Sequence, residues 1–342
     1  MKSIYEKDVK ILINIKNECN NPYFNLALEE YALKHLILED DIIILWINEP
    51  TVVIGRNQNT IEEINSKFIK DNNINVVRRM SGGGAVFHDH GNLNFTFITS
   101  SQGDSANNFR KFTKPVIDAL NMLGVNAEFS GRNDITVDGK KISGNAQYYY
   151  KDKMLHHGTI LFHTNLDILK DVLNVKLDKI ESKGIKSVRS RVGNIYDYLP
   201  KKMSVEEFKE TLLKFMLGTD NIENKEYKLT EEDLAVINKM KDEKYSTWEW
   251  IYGESPDFDL QKSKRYAGGG LDIRLNVHNG TIKECKIFGD FFGKEDLSEL
   301  EQLLGGISFR EDSVRTLLNS ISFGEYFYGI SIDDFIDCMF FE

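Results

Sequence analysis

The sequence predicts an α+β fold built on a mixed, largely antiparallel sheet, and three observations predict it. Strand-like segments outnumber the helices between them. The pairs Asp138-Gly139 and Asn279-Gly280 mark tight hairpins. The regular β-α alternation of a doubly wound sheet is missing.

The elements follow in order. Asn21-Pro22 before YFNLALEEYALKHL reads as a capped helix, with Phe24, Leu28 and Tyr31 as its buried stripe. Asp41 to Asn48 and Thr51 to Gly55 read as strands around the Glu49-Pro50 break. Ile61, Ile64 and Phe68 at helical spacing predict a helix over 59–72. Strand-like NVVRRM, a glycine segment and a β-prone 93–99 come next, then a helix from Ala106 to Gly124. Strands are expected at 134–137, 141–150 and 157–163. A polar helical stretch over 201–245 reads as a bridge between two domains. Beyond Pro256 come a hairpin about Asn279-Gly280 and helices near 295–304, 311–319 and 332–341. The division expected is 1–250 and 251–342.

The chain of 342 residues has 43 basic against 53 acidic side chains, a net charge of −10. That balance argues against duplex nucleic acid as a partner. A hydrophobic content of 41% supplies a sizeable core and excludes a wholly disordered chain. Cys19, Cys285 and Cys338 are far apart and form no CxxC pair, which fits a reducing compartment. The N-terminal MKSIYEKDVK lacks the apolar core of a signal peptide. The longest apolar run, 42–47, is far too short to span a bilayer. No helix carries a long unpaired apolar stripe. The expectation is a cytoplasmic monomer without membrane or nucleic-acid partners.

Four segments hold the chemistry-bearing residues. In RRMSGGGAVFHDHGN, from Arg78 to Asn92, three glycines let the backbone approach a ligand, and two arginines add bidentate donors for phosphate or carboxylate. It is neither a Walker A loop nor a Rossmann GxGxxG; a bare GGG would be only a turn. In SGRNDITVDGKKISGNAQ, Asn133 and Asp134 are candidates for a hydrated Mg²⁺, and Lys140 and Lys141 alternate, so one of them can face a pocket. Alone, DGKK reads better as a solvated hairpin, since Asp-Gly turns with flanking lysines are common. His157-Gly158 opens the third, where an isolated histidine is more often a satisfied core residue. His88 and His90 are spaced like metal ligands, yet no third ligand stands nearby. The fourth, KIESKGIKSVRSRVGN at 179–194, is either a lid over an anion or a solvated loop.

Taken together, NPYFNLALEEYAL, LWINEPTVVIGRNQN, VVRRMSGGGAVFHDHGNLNFTFI, GRNDITVDGKKISGNAQ, HHGTILF and KGIKSVRSRV resemble the blocks of the lipoate–protein ligases, in that family's order. The C-terminal LDIRLNVHNGTIKECKIFGDFF resembles the small accessory domain of its long members. The resemblance implies the catalytic core shared by biotin ligases and class II aminoacyl-tRNA synthetases, with a small α+β accessory domain. It implies that lipoate and Mg-ATP form lipoyl-AMP and pyrophosphate. The lipoyl group then passes to a lysine of a lipoyl domain in a 2-oxoacid dehydrogenase complex or of the glycine cleavage H protein.

Residue by residue, Arg79, Gly84, Ala85, Val86 and Phe87 match the family's nucleotide-binding positions. Lys141 matches the lysine that meets both the carboxylate and the α-phosphate. Ser81, Gly83 and His157 match the lipoyl-adenylate pocket, Asp134 the aspartate near the phosphates and metal, and 179–193 the loop that closes over the adenylate. Trp46, Val53, Val77 and Phe87 are candidate walls for an apolar tunnel. Met80 departs from the family, where a third basic residue is common, and Tyr148 to Tyr150 stand where some relatives carry an arginine. A second reading is an ATP-independent octanoyl or lipoyl transferase, which would need a cysteine nucleophile. A third is a non-enzymatic ligand sensor, which would call for a helix-turn-helix or a basic patch, and the first twenty residues hold neither.

Overall fold

Asn21 caps the first helix, Pro22–Lys34, by accepting from the Phe24 N–H at 3.0 Å, and Pro22 fills a position that needs no N–H. The structure is a computed structural model that describes residues 12–37, 40–58, 60–101, 108–173, 192–252, 260–278 and 280–340.

The main sheet has eight strands: β1 (Leu12–Ile15), β2 (Asp41–Ile47), β6 (Asn92–Ser100), β7 (Glu128–Ser130), β8 (Asp134–Val137), β9 (Lys140–Tyr150), β10 (Lys153–Leu161) and β11 (Glu226–Tyr227). Their spatial order is β11-β1-β2-β6-β10-β9-β8-β7. Only β11/β1 and β1/β2 are parallel; the other pairings are antiparallel, as expected. From Ile42 to Ile47 β2 is apolar, because both of its faces are covered. Ile43 and Leu45 face a core built with the helices Phe109–Met122 and Val205–Leu217, whereas Ile42, Ile44 and Trp46 face the helix Pro22–Lys34.

A second sheet of β3 (Thr51–Ile54), β4 (Asn75–Arg78) and β5 (Val86–His88) has β3 in the middle. It carries the arginine pair and the glycine segment against the main sheet, where Ser81 meets His157 on the central strand β10. The third sheet, β12 (Leu260–Tyr266), β13 (Gly269–His278) and β14 (Thr281–Gly289), is an antiparallel meander. With the helices Leu297–Leu304, Glu311–Asn319 and Ile332–Phe340 it buries a core of its own.

Several expectations need correction. The helix over 59–72 is two short helices, Thr60–Glu63 and Ser66–Asp71. Ile64 forms a β-bridge to Leu173 between them, and Asn65 caps the second by accepting from Phe68 N. The 201–245 stretch is no bridge. Phe208, Leu212 and Met216 recur every four residues and enter the first core, while Ile237 and Tyr245 enter the second. The helix expected from Ala106 begins at Phe109, capped by Asn108; Ala106 itself lies outside the described residues. β10 begins at Lys153, four residues before His157, because the Lys151-Asp152 turn needs no glycine: Lys151 itself takes φ 53°. The Asp138-Gly139 turn has φ 51° and 74°, the double-positive hairpin its residues announce.

Candidate functional site

Lys141 reaches the site through an irregularity in its strand. Thr136 pairs with Lys141 and Ile135 with Ser143, so Ile142 is an extra residue opposite the β8 ladder. Strict alternation would put Ile142 on the face of Gly144 and Tyr148. The bulge instead sends Ile142 into the core that holds Tyr149, and turns Lys141 to the cleft lined by Gly144 and Ala146. Lys140 is exposed. Lys141 Nζ stands 2.8 Å from Asp134 Oδ1, with the two side chains 38% and 29% exposed. Gly144 leaves room for that ammonium, since a Cβ there would lie 2.8 Å from Nζ.

The arginine pair is used differently from the sequence expectation. Arg78 donates to the carbonyls of Gly55, Arg56, Gln58, Trp250 and Ile251 and to Thr60 Oγ1, at 2.6–3.3 Å. Arg79 donates to the carbonyls of Val53, Gly82 and Gly84 and, through Nε, to Ser81 Oγ. Burial lowers both guanidinium groups to about 10, so they stay charged at neutral pH. Each charge is spent on backbone: Arg78 clamps 55–60 to 250–251, and Arg79 folds the glycine loop. Met80, beside them, is a buried core residue.

Below the loop runs a hydrogen-bonded chain that the sequence did not announce. Ser81 Oγ accepts from Arg79 Nε–H and lies 2.6 Å from His157 Nε2. His157 Nδ1–H then donates to Glu29 Oε1 at 3.0 Å, and Glu29 also accepts from Thr96, which accepts from the Trp46 indole. Glu29 is buried on the helix Pro22–Lys34, and nothing in NLALEE separates it from an exposed helix carboxylate. His157 sits mid-strand, paired with Thr96 and Ala146. Gly158 beside it is forced by packing: a Cβ would lie 2.2 Å from Asn145 Oδ1 and 2.5 Å from the Phe95 ring.

These groups surround a cleft of about 660 Å³, counting its open mouth. Lys141 and Asn133 stand at the exposed end; Leu26, Trp46, Val53 and His88 wall the buried end. Of the residues singled out from sequence, Arg79, Gly83, Gly84, Ala85, Val86, Lys141 and His157 line it. Ser81 and Asp134 stand one contact behind, on His157 and Lys141. Phe87 does not line it. Alternation along β5 turns its ring into the core of Val52 and Ile54, which also removes it as a tunnel wall; Val77 is buried beside Val53 but does not line the cleft either. The 179–193 loop lies, apart from its last residues, outside the described residues.

The C-terminal sheet completes the wall. Phe292, just past β14, lines the cleft, with its ring 4.5 Å from the Arg132 guanidinium and 5.9 Å from the Phe109 ring. The Gly83 N–H donates to the Phe291 carbonyl at 3.3 Å, and Gly83 takes φ 93°, a conformation that favours glycine. Phe292 was invisible in sequence, where FGDFFG reads only as a strand end.

No cysteine lines the cleft among the described residues. Cys285 and Cys338 are buried in the C-terminal core, where burial raises both thiols, Cys338 to about 12. Among the described residues no cluster of three His, Cys, Asp or Glu is arranged to hold a metal ion, and His90 is exposed while His88 is buried. Among the described residues no helix is long and apolar enough to cross a membrane.

A cleft that buries an apolar end and keeps one ammonium at its mouth has the chemistry that suits an amphiphilic acid. Comparison with known proteins agrees. The family description "Lipoyl protein ligase A/B catalytic domain" matches residues 21–217, and "Bacterial lipoate protein ligase C-terminus" matches 255–339. The chain is 52% identical to lipoate-protein ligase LplJ of Bacillus subtilis over 322 residues, 94% of this chain and 97% of that one. It superposes on the crystal structure of P. falciparum LipL1 in complex with lipoate with a TM-score of 0.72, at 29% identity over 91% and 94% of the two chains. On lipoate-protein ligase A bound with ATP the TM-score is 0.61, at 31% identity over 72% of this chain and 99% of that one. The chain belongs to the lipoate–protein ligase family.

Proposed function

We propose that this protein is an ATP-dependent lipoate–protein ligase. It activates lipoate to lipoyl-AMP with release of pyrophosphate, then transfers the lipoyl group to one lysine of a carrier domain. The observation that carries the reading is Lys141, held 2.8 Å from Asp134 at the mouth of a cleft whose far end is apolar and buried.

In the first step a carboxylate must approach an α-phosphate, and both are negative. Lys141 exchanges Asp134 for these two anions, lowers their repulsion and stabilises charge building on phosphorus. Arg79 acts on the nucleotide indirectly: it fixes the carbonyls of Gly82 and Gly84, so the backbone of 83–87 presents one shape to the nucleotide. His157, oriented by Glu29 and Ser81, holds the acyl chain below the reacting carboxyl. In the second step a neutral lysine attacks the mixed anhydride and AMP leaves as a stable anion, so positioning suffices.

Mg²⁺ accompanies ATP in this reading. Asp134 is the carboxylate beside Lys141 that would hold it, and a Mg²⁺ bound mainly by phosphates and water needs only one or two protein carboxylates. The ion would supply neutralisation of phosphate charge.

The acceptors we propose are lipoyl domains of 2-oxoacid dehydrogenase complexes and the glycine cleavage H protein. We place the protein in the cytoplasm as a monomer. The division we propose is a catalytic unit over 1–250 and an accessory domain over 251–342; the separate core of the third sheet and its helices supports it.

The transferase alternative makes a distinct forecast. Replacing Cys19, Cys285 and Cys338 together by serine is expected to leave lipoate-dependent ATP–pyrophosphate exchange within about twofold per folded molecule, since none of them lines the cleft. Loss of exchange in a variant that keeps its fold would restore a cysteine nucleophile.

A further inference from the structure

Four buried side-chain atoms have no hydrogen-bond partner among the described residues: Gln58 Nε2, His88 Nε2, Asn92 Oδ1 and Thr164 Oγ1. Of these residues only His88 lines the cleft. It is 3% exposed and stands edge-on to Trp46 at the buried end, away from Lys141. A buried polar atom without a partner carries an uncompensated desolvation penalty, so it needs a physical account.

The network behind His88 decides which of its nitrogens carries the proton. The Cys19 backbone N–H donates to Asn17 Oδ1 at 3.0 Å, which fixes the orientation of the Asn17 amide. Asn17 Nδ2 therefore donates to Asn25 Oδ1, and Asn25 Nδ2 donates to Asn48 Oδ1 and to the Ile47 carbonyl. Asn48 is left with its NH₂ toward the ring, 3.1 Å from His88 Nδ1. Each amide passes the same polarity to the next, starting from a backbone donor that cannot flip. His88 Nδ1 is then an acceptor, and the proton of the neutral ring resides on Nε2. Neutrality is secure, because burial first, then the charge of Arg79 and the neighbouring His157, hold the imidazole down at about 3. The result is a fixed N–H donor, without a partner among the described residues, in the apolar end of an acyl-binding cleft.

We propose that this donor reads the far end of the acyl group: His88 Nε2–H donates to a sulfur of the dithiolane ring, so the cleft selects lipoate over a plain hydrocarbon acid of the same chain length. The proposal rests on the lipoate reading above and goes beyond it to substrate choice. Sulfur is a weak acceptor, yet octanoate offers none, so its terminal methyl leaves the N–H desolvated and unpaired. Selection therefore comes more from the penalty on octanoate than from the strength of the N–H···S contact.

Two measurements on the full-length protein test it. The first compares kcat/KM for lipoate and octanoate in ATP–pyrophosphate exchange, for the wild type and for His88→Phe, which keeps a ring but no donor. Wild type is expected to favour lipoate by about tenfold or more, and His88→Phe to lose most of that ratio, chiefly by improving on octanoate. The ratio cancels any general damage from leaving Asn48 without its acceptor. The second is the tautomer of His88 in ¹⁵N-histidine-labelled protein, read from two-bond ¹H–¹⁵N correlations. The expected pattern has the proton on Nε2 in the free protein, and an Nε2 shift that moves with lipoate but not with octanoate. A proton on Nδ1, or an unchanged lipoate-to-octanoate ratio in a folded His88→Phe, overturns the proposal. Absence of exchange with any acid in wild type would instead defeat the ligase reading, and the tautomer measurement on free protein still decides the direction of the network.

Discussion

Replacing Lys141 by alanine is expected to lower the rate of acyl-adenylate formation by about 10²–10³-fold, the effect of removing one preorganised donor from developing charge. The fold should survive, because the side chain is 38% exposed and its ion pair with Asp134 is partly solvated. Lipoate-dependent ATP–pyrophosphate exchange measures the first quantity and a thermal melt the second. The rate loss should lie in kcat more than in KM for lipoate, since the tail is held at the far end by Leu26, Trp46 and Val53. Supplying preformed lipoyl-AMP should restore much of the transfer, because the second step needs less charge stabilisation. Near-normal exchange in a folded Lys141→Ala protein would contradict the role.

The second large effect concerns stability. Arg78→Ala removes every donor that joins the carbonyls of Gly55, Arg56 and Gln58 to those of Trp250 and Ile251. Gly55 keeps the Gln58 N–H and Ile251 keeps Thr60 Oγ1. The Arg56, Gln58 and Trp250 carbonyls, however, lose a buried charged donor, a loss of about 3 kcal/mol read as a lower urea midpoint. Arg78→Lys should recover little of it, since one ammonium cannot span partners on two segments. A variant with an unchanged midpoint but a much raised KM for ATP would return Arg78 to the phosphate-binding role that the sequence suggests.

These two residues also mark how far the sequence could be read. The Asp138-Gly139 hairpin and the Asn21-Pro22 helix start were legible because each depends on local chemistry: positive φ in one, an orphan N–H in the other. The RRxSGGG segment was legible as a ligand loop, but Arg78 and a phosphate-binding arginine look alike until the carbonyls around them are placed. The lysine pair showed that one ammonium faces the cleft. Which one depends on the Ile142 bulge, and a two-residue alternation does not contain it.

Other parts of the site are assembled from distant segments. Glu29 on a helix meets His157 on β10, and Phe292 arrives from the C-terminal sheet. The asparagine chain to His88 joins residues 17, 25 and 48, whose separate positions carry no common periodicity. Long-range polar contacts of this kind leave no pattern in a single chain. As a tunnel wall Phe87 failed for the opposite reason: its motif position suggested the cleft, and strand alternation turned its ring into the core of Val52 and Ile54.

The measurement that bears most directly on the account is the intact mass of an unmodified lipoyl domain. It would be incubated with this protein, lipoate and Mg²⁺, with and without ATP. The expected result is a gain of one lipoyl group on one lysine, only when ATP is present. A carrier that stays unmodified with lipoate and ATP, yet gains the group from a lipoylated donor protein, would make the protein a transferase and contradict the role assigned to Lys141.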